Sequence, residues 1–251
     1  MISLAIDMGN SNIVCGIYNN GLVASFRFET DKLISLNDCV ELLEIIHDKY
    51  HYECVGFSCV VPRLYRIFSL AISSIVKDNY VVINNKNIDY LDIRLDNPKE
   101  IGADFICGAI GACNKYEGPI LISDLGTCNK VLLVEDNVFY GGAISPGIGQ
   151  SFKTMIDNVS QLPKISYDLP KKVIGNNTID ALKSGSLYGT IAAIEGLNDK
   201  MEKEYGKKCK RVLTGGYATI LNKSMPDFIY DPNLLIDGIQ VIIEKKFNLN
   251  D

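Results

Sequence analysis

The chain opens on an apolar run, Ile2 to Ile6. It breaks at once into Asp7-Met8-Gly9-Asn10-Ser11-Asn12 and resumes as Ile13-Val14-Cys15-Gly16-Ile17-Tyr18. Short apolar runs bounded by Gly and Asn read as strands. Asn19-Asn20-Gly21 reads as a tight hairpin turn, because Asn and Gly tolerate positive φ. Residues 22–28 return as a third strand, and residues 37–47 put Val40, Leu43 and Ile46 on one helical face. Residues 55–61 read as a buried strand ended by Pro62, residues 64–76 as a helix, and residues 80–83 as another strand. Hairpin strands followed by alternating helix and strand predict an α/β domain.

Roughly 117 residues later the pattern returns. Ile120-Leu121-Ile122-Ser123-Asp124-Leu125-Gly126-Thr127-Cys128-Asn129 repeats the apolar strand, the Asp-x-Gly, the small polar positions and the Asn of the opening. Strands at 131–134 and 138–140 follow, separated by Glu135-Asp136-Asn137. Helices near 149–158 and 178–205, a strand at 211–213 and a closing helix at 234–246 complete the chain. A repeat of this length is far too long for a solenoid and predicts two duplicated domains, 1–115 and 116–251, facing each other across a cleft.

Each Asp-x-Gly segment suits a phosphate. Glycine lets the backbone turn at a strand end and approach a bulky anion. Main-chain N–H, amide and hydroxyl groups then donate to phosphate oxygens, and the strand-terminal carboxylate can hold Mg²⁺ or its waters. Taken singly, either segment is also an ordinary Asn/Gly turn; it is the recurrence that favours the phosphate reading. Three further segments carry weaker signals. Leu213-Thr214-Gly215-Gly216 leads a strand into a double glycine that permits close approach of a base or ribose, or that merely turns the chain. The glycine-rich stretch 141–149 reads as more than a routine connection, its last glycines opening a helix N-terminus toward an anion. Asp96-Asn97-Pro98-Lys99-Glu100-Ile101-Gly102-Ala103-Asp104 sets a carboxylate at a helix start, as a general base or as a plain N-cap.

Composition narrows the class. The chain has 251 residues, 47% of them hydrophobic and 22% charged, enough to bury a substantial core and unlike a disordered segment. A net charge of −5 argues against a nucleic-acid or anionic-membrane binder. The cluster Lys207, Lys208, Lys210 and Arg211 reads as a solvated connection. The opening apolar run is too short for a signal or a membrane span, so a cytoplasmic protein is expected. Eight cysteines form no Cys-x-x-Cys pair and the only histidines are His47 and His51, so neither a zinc site nor a disulfide framework is expected.

These segments, in this order, resemble the type III pantothenate kinases over nearly the whole chain. The resemblance implies the acetate and sugar kinase, actin and heat-shock chaperone superfamily, with its duplicated ribonuclease-H-like α/β domains. It implies ATP-dependent phosphorylation of pantothenate, the first step of coenzyme A synthesis, with Mg²⁺ and a monovalent cation (K⁺ or NH₄⁺) in a homodimer. It assigns Asp7, Gly9, Asn10, Ser11 and Asn12 to the first phosphate loop and Asp124, Gly126 and Thr127 to the second. Asp7 and Asp124 become metal ligands, Asp104 the catalytic base, and Gly215 and Gly216 the nucleotide-side double glycine. Leu95, Gly102 and Phe105 fall in the acceptor pocket, and Thr178 falls where a neighbouring subunit contributes to it.

The departures from the family cluster together. Leu95 stands where a Tyr precedes Asp-Asn-Pro, and Phe105 where an Arg follows the base. Thr127-Cys128-Asn129-Lys130 replaces Thr-Ala-Thr-Thr. Exchanging a guanidinium for Phe removes a bidentate carboxylate partner, a loss of about 1.5–3 kcal/mol of binding. A kinase for another small hydroxylated substrate, or a non-catalytic nucleotide-binding regulator, are the alternative readings.

Overall fold

The computed structural model describes residues 1–33, 35–158 and 166–249. Its contacts divide the chain into two compact units, Met1–Lys115 with Asn233–Asp251, and Tyr116–Pro232.

The first unit begins with β1 (Ser3–Met8), β2 (Asn12–Tyr18) and β3 (Leu22–Glu29), an antiparallel meander. Asn20 and Gly21 carry the positive φ that the first hairpin demands. Helix α1 (Leu36–Tyr50) starts on a capping box, in which Asp38 N–H donates to Ser35 Oγ at 3.3 Å and Ser35 N–H to Asp38 Oδ2 at 2.8 Å. Then come β4 (Cys54–Cys59), α2 (Pro62–Val76), β5 (Tyr80–Val82), the short β6 (Asp92–Ile93) and α3 (Ala103–Lys115). Pro62 opens α2, where its missing N–H costs nothing. The sheet order is β3-β2-β1-β4-β5, with β4 parallel to β1 and β5 parallel to β4. β1 is the central strand and nearly all of it is buried, which is why its sequence reads as an unbroken apolar run.

The second unit repeats this plan. It contains β7 (Ile120–Leu125), β8 (Cys128–Glu135), β9 (Val138–Pro146), α4 (Ile148–Asn158), α5 (Thr178–Tyr205), β10 (Lys210–Thr214), α6 (Ala218–Leu221) and β11 (Ile229–Tyr230). Its strands run β9-β8-β7-β10-β11, again antiparallel on one side of the central strand and parallel on the other. The duplication expected from the two Asp-x-Gly segments is thus present strand for strand. Asp136 and Asn137 both take positive φ, as a primed two-residue turn requires. One reading changes: residues 141–146, read as part of a glycine-rich connection, continue β9 as a strand paired along β8 as far as Pro146. Glycine there reflects backbone closely packed on β8, and only 147–149 lies at a helix start.

The closing helix α7 (Leu234–Phe247), expected in the domain 116–251, packs instead on β1, β2 and β4 of the first unit. Ile239 and Ile243 sit over Gly56, and Ile236 over Gly16. Gly111 of α3 and Gly238 of α7 meet backbone to backbone; a β-carbon on Gly238 would collide with the Cys107 carbonyl. A glycine on each helix is what lets α3 and α7 approach so closely.

Candidate active site

In the first unit, Asp7 lies near the end of β1, and the parallel register sets Ser58 of β4 beside it. Ser58, fully buried, donates its hydroxyl to Asp7 Oδ1 at 2.9 Å. The following loop is pinned from two sides. Gly9 N–H donates to Asn12 O at 2.9 Å, and the buried Thr30 gives its N–H to Ser11 O at 3.1 Å and its hydroxyl to Gly9 O at 2.8 Å. Asn10 and Ser11 are exposed on this fixed backbone.

Asp104 sits in the first turn of α3, where the helix dipole favours a carboxylate. Its Oδ1 accepts the Phe105 N–H at 3.0 Å, and the Gly102 carbonyl accepts the N–H groups of Phe105 and Ile106. One turn on is Cys107, fully buried. Burial pushes its thiol well above the ordinary range, the Asp7 and Asp104 carboxylates add to this, and Ser58 opposes it. Both carboxylates therefore act on one buried sulfur, and the structure brings Asp7, Ser58, Cys107 and Asp104 into one neighbourhood. Leu95 and Phe105 are half-buried.

The second unit's loop is built on the same hydrogen bonds with one residue fewer. Gly126 N–H donates to Cys128 O at 3.1 Å, as Gly9 does to Asn12, and Gly147 N–H donates to Thr127 O at 3.0 Å, as Thr30 does to Ser11. Thr127 thus answers to Ser11, and Asn10 has no counterpart. The registers agree: Met8 faces Ile13 and Asp7 faces Val14, whereas Leu125 faces Asn129 and Asp124 faces Lys130. Asn129 is therefore the counterpart of Ile13, not of Asn12 as the sequence repeat implies.

Asp124, the second expected metal ligand, has Oδ2 at 2.9 Å from Lys130 Nζ. Both side chains are largely buried, 12% and 17% exposed respectively. Asn129 donates to Pro146 O at 3.2 Å, and its buried Oδ1 has no hydrogen-bond partner. Gly215, at φ +93°, brings the double-glycine turn onto this loop. A side chain there would strike Asp124 Oδ1, and Tyr217 N–H closes on Leu125 O at 2.9 Å. Gly126, Thr127, Gly147 and Gly215, distant in sequence, so converge at the end of β7. Thr178 is exposed at the start of α5, which Asn177 caps by accepting the Asp180 N–H at 2.9 Å.

Sequence reasoning did not single out Ser58 or Thr30. Ser58 lies within an apolar strand and Thr30 just after β3, and a lone polar residue in such places gains meaning only once the register is known. Among the described residues, no group of three or more His, Cys, Asp or Glu side chains is placed to hold a metal ion, and no helix is long and apolar enough to cross a membrane.

Among solved structures, a conserved putative Baf family transcriptional activator from Campylobacter jejuni matches at TM-score 0.63 and 20% identity, covering 98% of this chain and 99% of that one. ADP-bound MreB5 of Spiroplasma citri matches at TM-score 0.56 and 11% identity, covering 99% and 98%. The fold is the duplicated ribonuclease-H-like, actin-like α/β fold. Type III pantothenate kinases of Exiguobacterium sibiricum and Brevibacillus brevis are 32% and 31% identical, each over 96% of this chain and 98% of the relative. The family model for type III pantothenate kinase matches residues 3–200, and the chain belongs to that family.

Proposed function

We propose that this chain transfers the γ-phosphoryl group of ATP to the hydroxyl of pantothenate, giving ADP and 4′-phosphopantothenate for coenzyme A synthesis. The observation that carries the reading is family membership over nearly the whole chain, together with an intact Asp7 loop and Asp104 at the head of α3. In this reading the Gly9–Asn12 loop and the Gly126–Thr127 loop donate to the nucleotide's phosphates, and Gly215 and Gly216 flank its nucleoside. Asp104 orients the acceptor hydroxyl and takes its proton as the new O–P bond forms and the bond to ADP breaks.

Asp7, a half-buried carboxylate at a strand end, fits Mg²⁺ held through one carboxylate and substrate phosphates. The ion supplies neutralisation of charge on the β- and γ-phosphate oxygens. Asn129 Oδ1, buried and unpartnered, is the oxygen of the second loop that fits a monovalent cation, K⁺ or NH₄⁺. A cytoplasmic homodimer completes the proposal: Val173, Ile174 and Ile179 flank Thr178 as exposed apolar residues, suited to a second copy.

Purified protein given ATP, Mg²⁺, K⁺ and pantothenate releases ADP; no turnover at millimolar substrate overturns the reading. Asp104→Asn lowers kcat by about a hundred- to ten-thousandfold while leaving ATP affinity unchanged. Full activity in that variant removes Asp104 as the base. Leu95 and Phe105 favour a second reading, a less acidic hydroxylated acceptor, and a panel of acceptors assayed by ADP release separates the two.

A further inference from the structure

The second phosphate loop carries a charge that the first lacks. Lys130 stands directly across β7–β8 from Asp124, where Val14 stands across from Asp7. Its Nζ lies 2.9 Å from Asp124 Oδ2, in a pair mostly withdrawn from water. Such a pair contributes little net stability, since desolvation of both ions offsets their attraction, and an apolar pair of similar volume does as well or better. The first unit keeps its carboxylate, Asp7, at the same register position with no lysine across from it. Stability alone therefore gives no reason for Lys130.

Its surroundings do. Asp124 holds the ammonium by one oxygen, and its other oxygen abuts Gly215 and faces Gly126. The ammonium is thus fixed by the same carboxylate around which the Gly126–Thr127 loop, Gly147 and the double-glycine turn converge. We infer that Lys130 is a phosphate-positioning residue of this loop, an ammonium that Asp124 keeps in place for the anionic di- or triphosphate of a nucleotide. Asp124 then acts through Lys130, and Asp7 is the carboxylate left for the divalent ion. A lysine serves phosphate as a point charge with rotatable donors. The inference rests on the proposal that the Gly126–Thr127 loop holds nucleotide phosphate.

Calorimetric titration with ATP, ADP and adenosine tests it. Lys130→Met raises the Kd for ATP and ADP by about ten- to a hundredfold, the value of one charge-assisted contact, and leaves adenosine unchanged. Lys130→Arg, which keeps the charge, retains most of the ATP affinity. Lys130→Gln keeps a donor for Asp124 without the charge and repeats the Met result, should the Met variant fail to fold. A folded Met or Gln variant that binds ATP as the wild type does overturns the role of Lys130, as does equal weakening of ATP and adenosine. Wild-type protein that binds no ATP sinks the phosphate-loop reading itself, and this inference with it.

Discussion

The two units share one strand plan but fill it with different chemistry. Around the first loop the strand positions facing Met8 and Asp7 are Ile13 and Val14; around the second the equivalent positions are Asn129 and Lys130. The helices differ in the same sense. Helix α1 buries Cys39, Leu43 and Ile46, whereas α5 buries Lys183, Ser184, Asn198 and Glu202 among its apolar residues. Asn198 donates to Ser123 Oγ at 3.1 Å on the central strand, and Glu202 takes Arg211 and Lys208. Duplication therefore preserved backbone geometry while the interior of one copy became polar. The first unit buries Ser3, Thr30 and Ser58, each hydrogen-bonded, whereas the second buries charged groups as well and pairs them ionically.

The comparison can be broken by exchanging residues between the copies. Ile13→Asn gives the first loop the residue of the second; Ile13 is fully buried, so an amide there costs about 3–5 kcal/mol, read as a lower denaturant midpoint. Glu202→Gln tests the ionic anchor of α5. Burial alone would raise the Glu202 carboxyl, but hydrogen bonds from Arg211, Lys208 and the Cys209 N–H hold it down at about 2. Because the folded value lies below the unfolded one, the anchor's stabilisation is complete above ~4.3 and fades as pH falls toward the folded value. Glu202→Gln accordingly destabilises by about 2–3 kcal/mol at pH 7, less than a fully stranded partner would cost because Asp199 still pairs with Arg211. The difference in melting temperature from wild type shrinks as the pH is lowered below about 4; a difference independent of pH removes the ionic explanation.

The reverse exchange runs the other way. Asn129→Ile removes a buried, unpartnered Oδ1 and, because the exposed Pro146 can turn its carbonyl to water once the amide bond is lost, raises stability by about 1 kcal/mol. If it also abolishes stimulation of turnover by K⁺, the amide oxygen serves the monovalent ion; unchanged stimulation removes it from that role. Smallest is Ser58→Ala, which takes one hydrogen bond from Asp7 and costs about 1 kcal/mol in thermal unfolding.

Much of this was legible in the sequence. Helix α5 begins and ends where its pattern predicts, because Asn177 and Gly206 are chemically suited to cap and stop a helix. The hairpin turns at 19–21 and 135–137 were readable for the same reason: positive φ selects Asn, Asp and Gly. Residues 141–146 misled because glycine signals a turn locally, and only the neighbouring strand reveals that it is serving close backbone packing. The candidate site divides along the same line. The loops at Asp7 and Asp124 announce themselves by composition, but the single-residue difference between them does not.

The sequence by itself determined the local conformations, the duplication and the family, since caps, turns and apolar periods act over a few residues. Tertiary structure alone decided which residues stand together. Strand register paired Ser58 with Asp7 and Lys130 with Asp124, and glycine contacts drew the last helix back to the first unit. Register is set by the packing of whole sheets, and one residue more or less in a loop changes every partner beyond it.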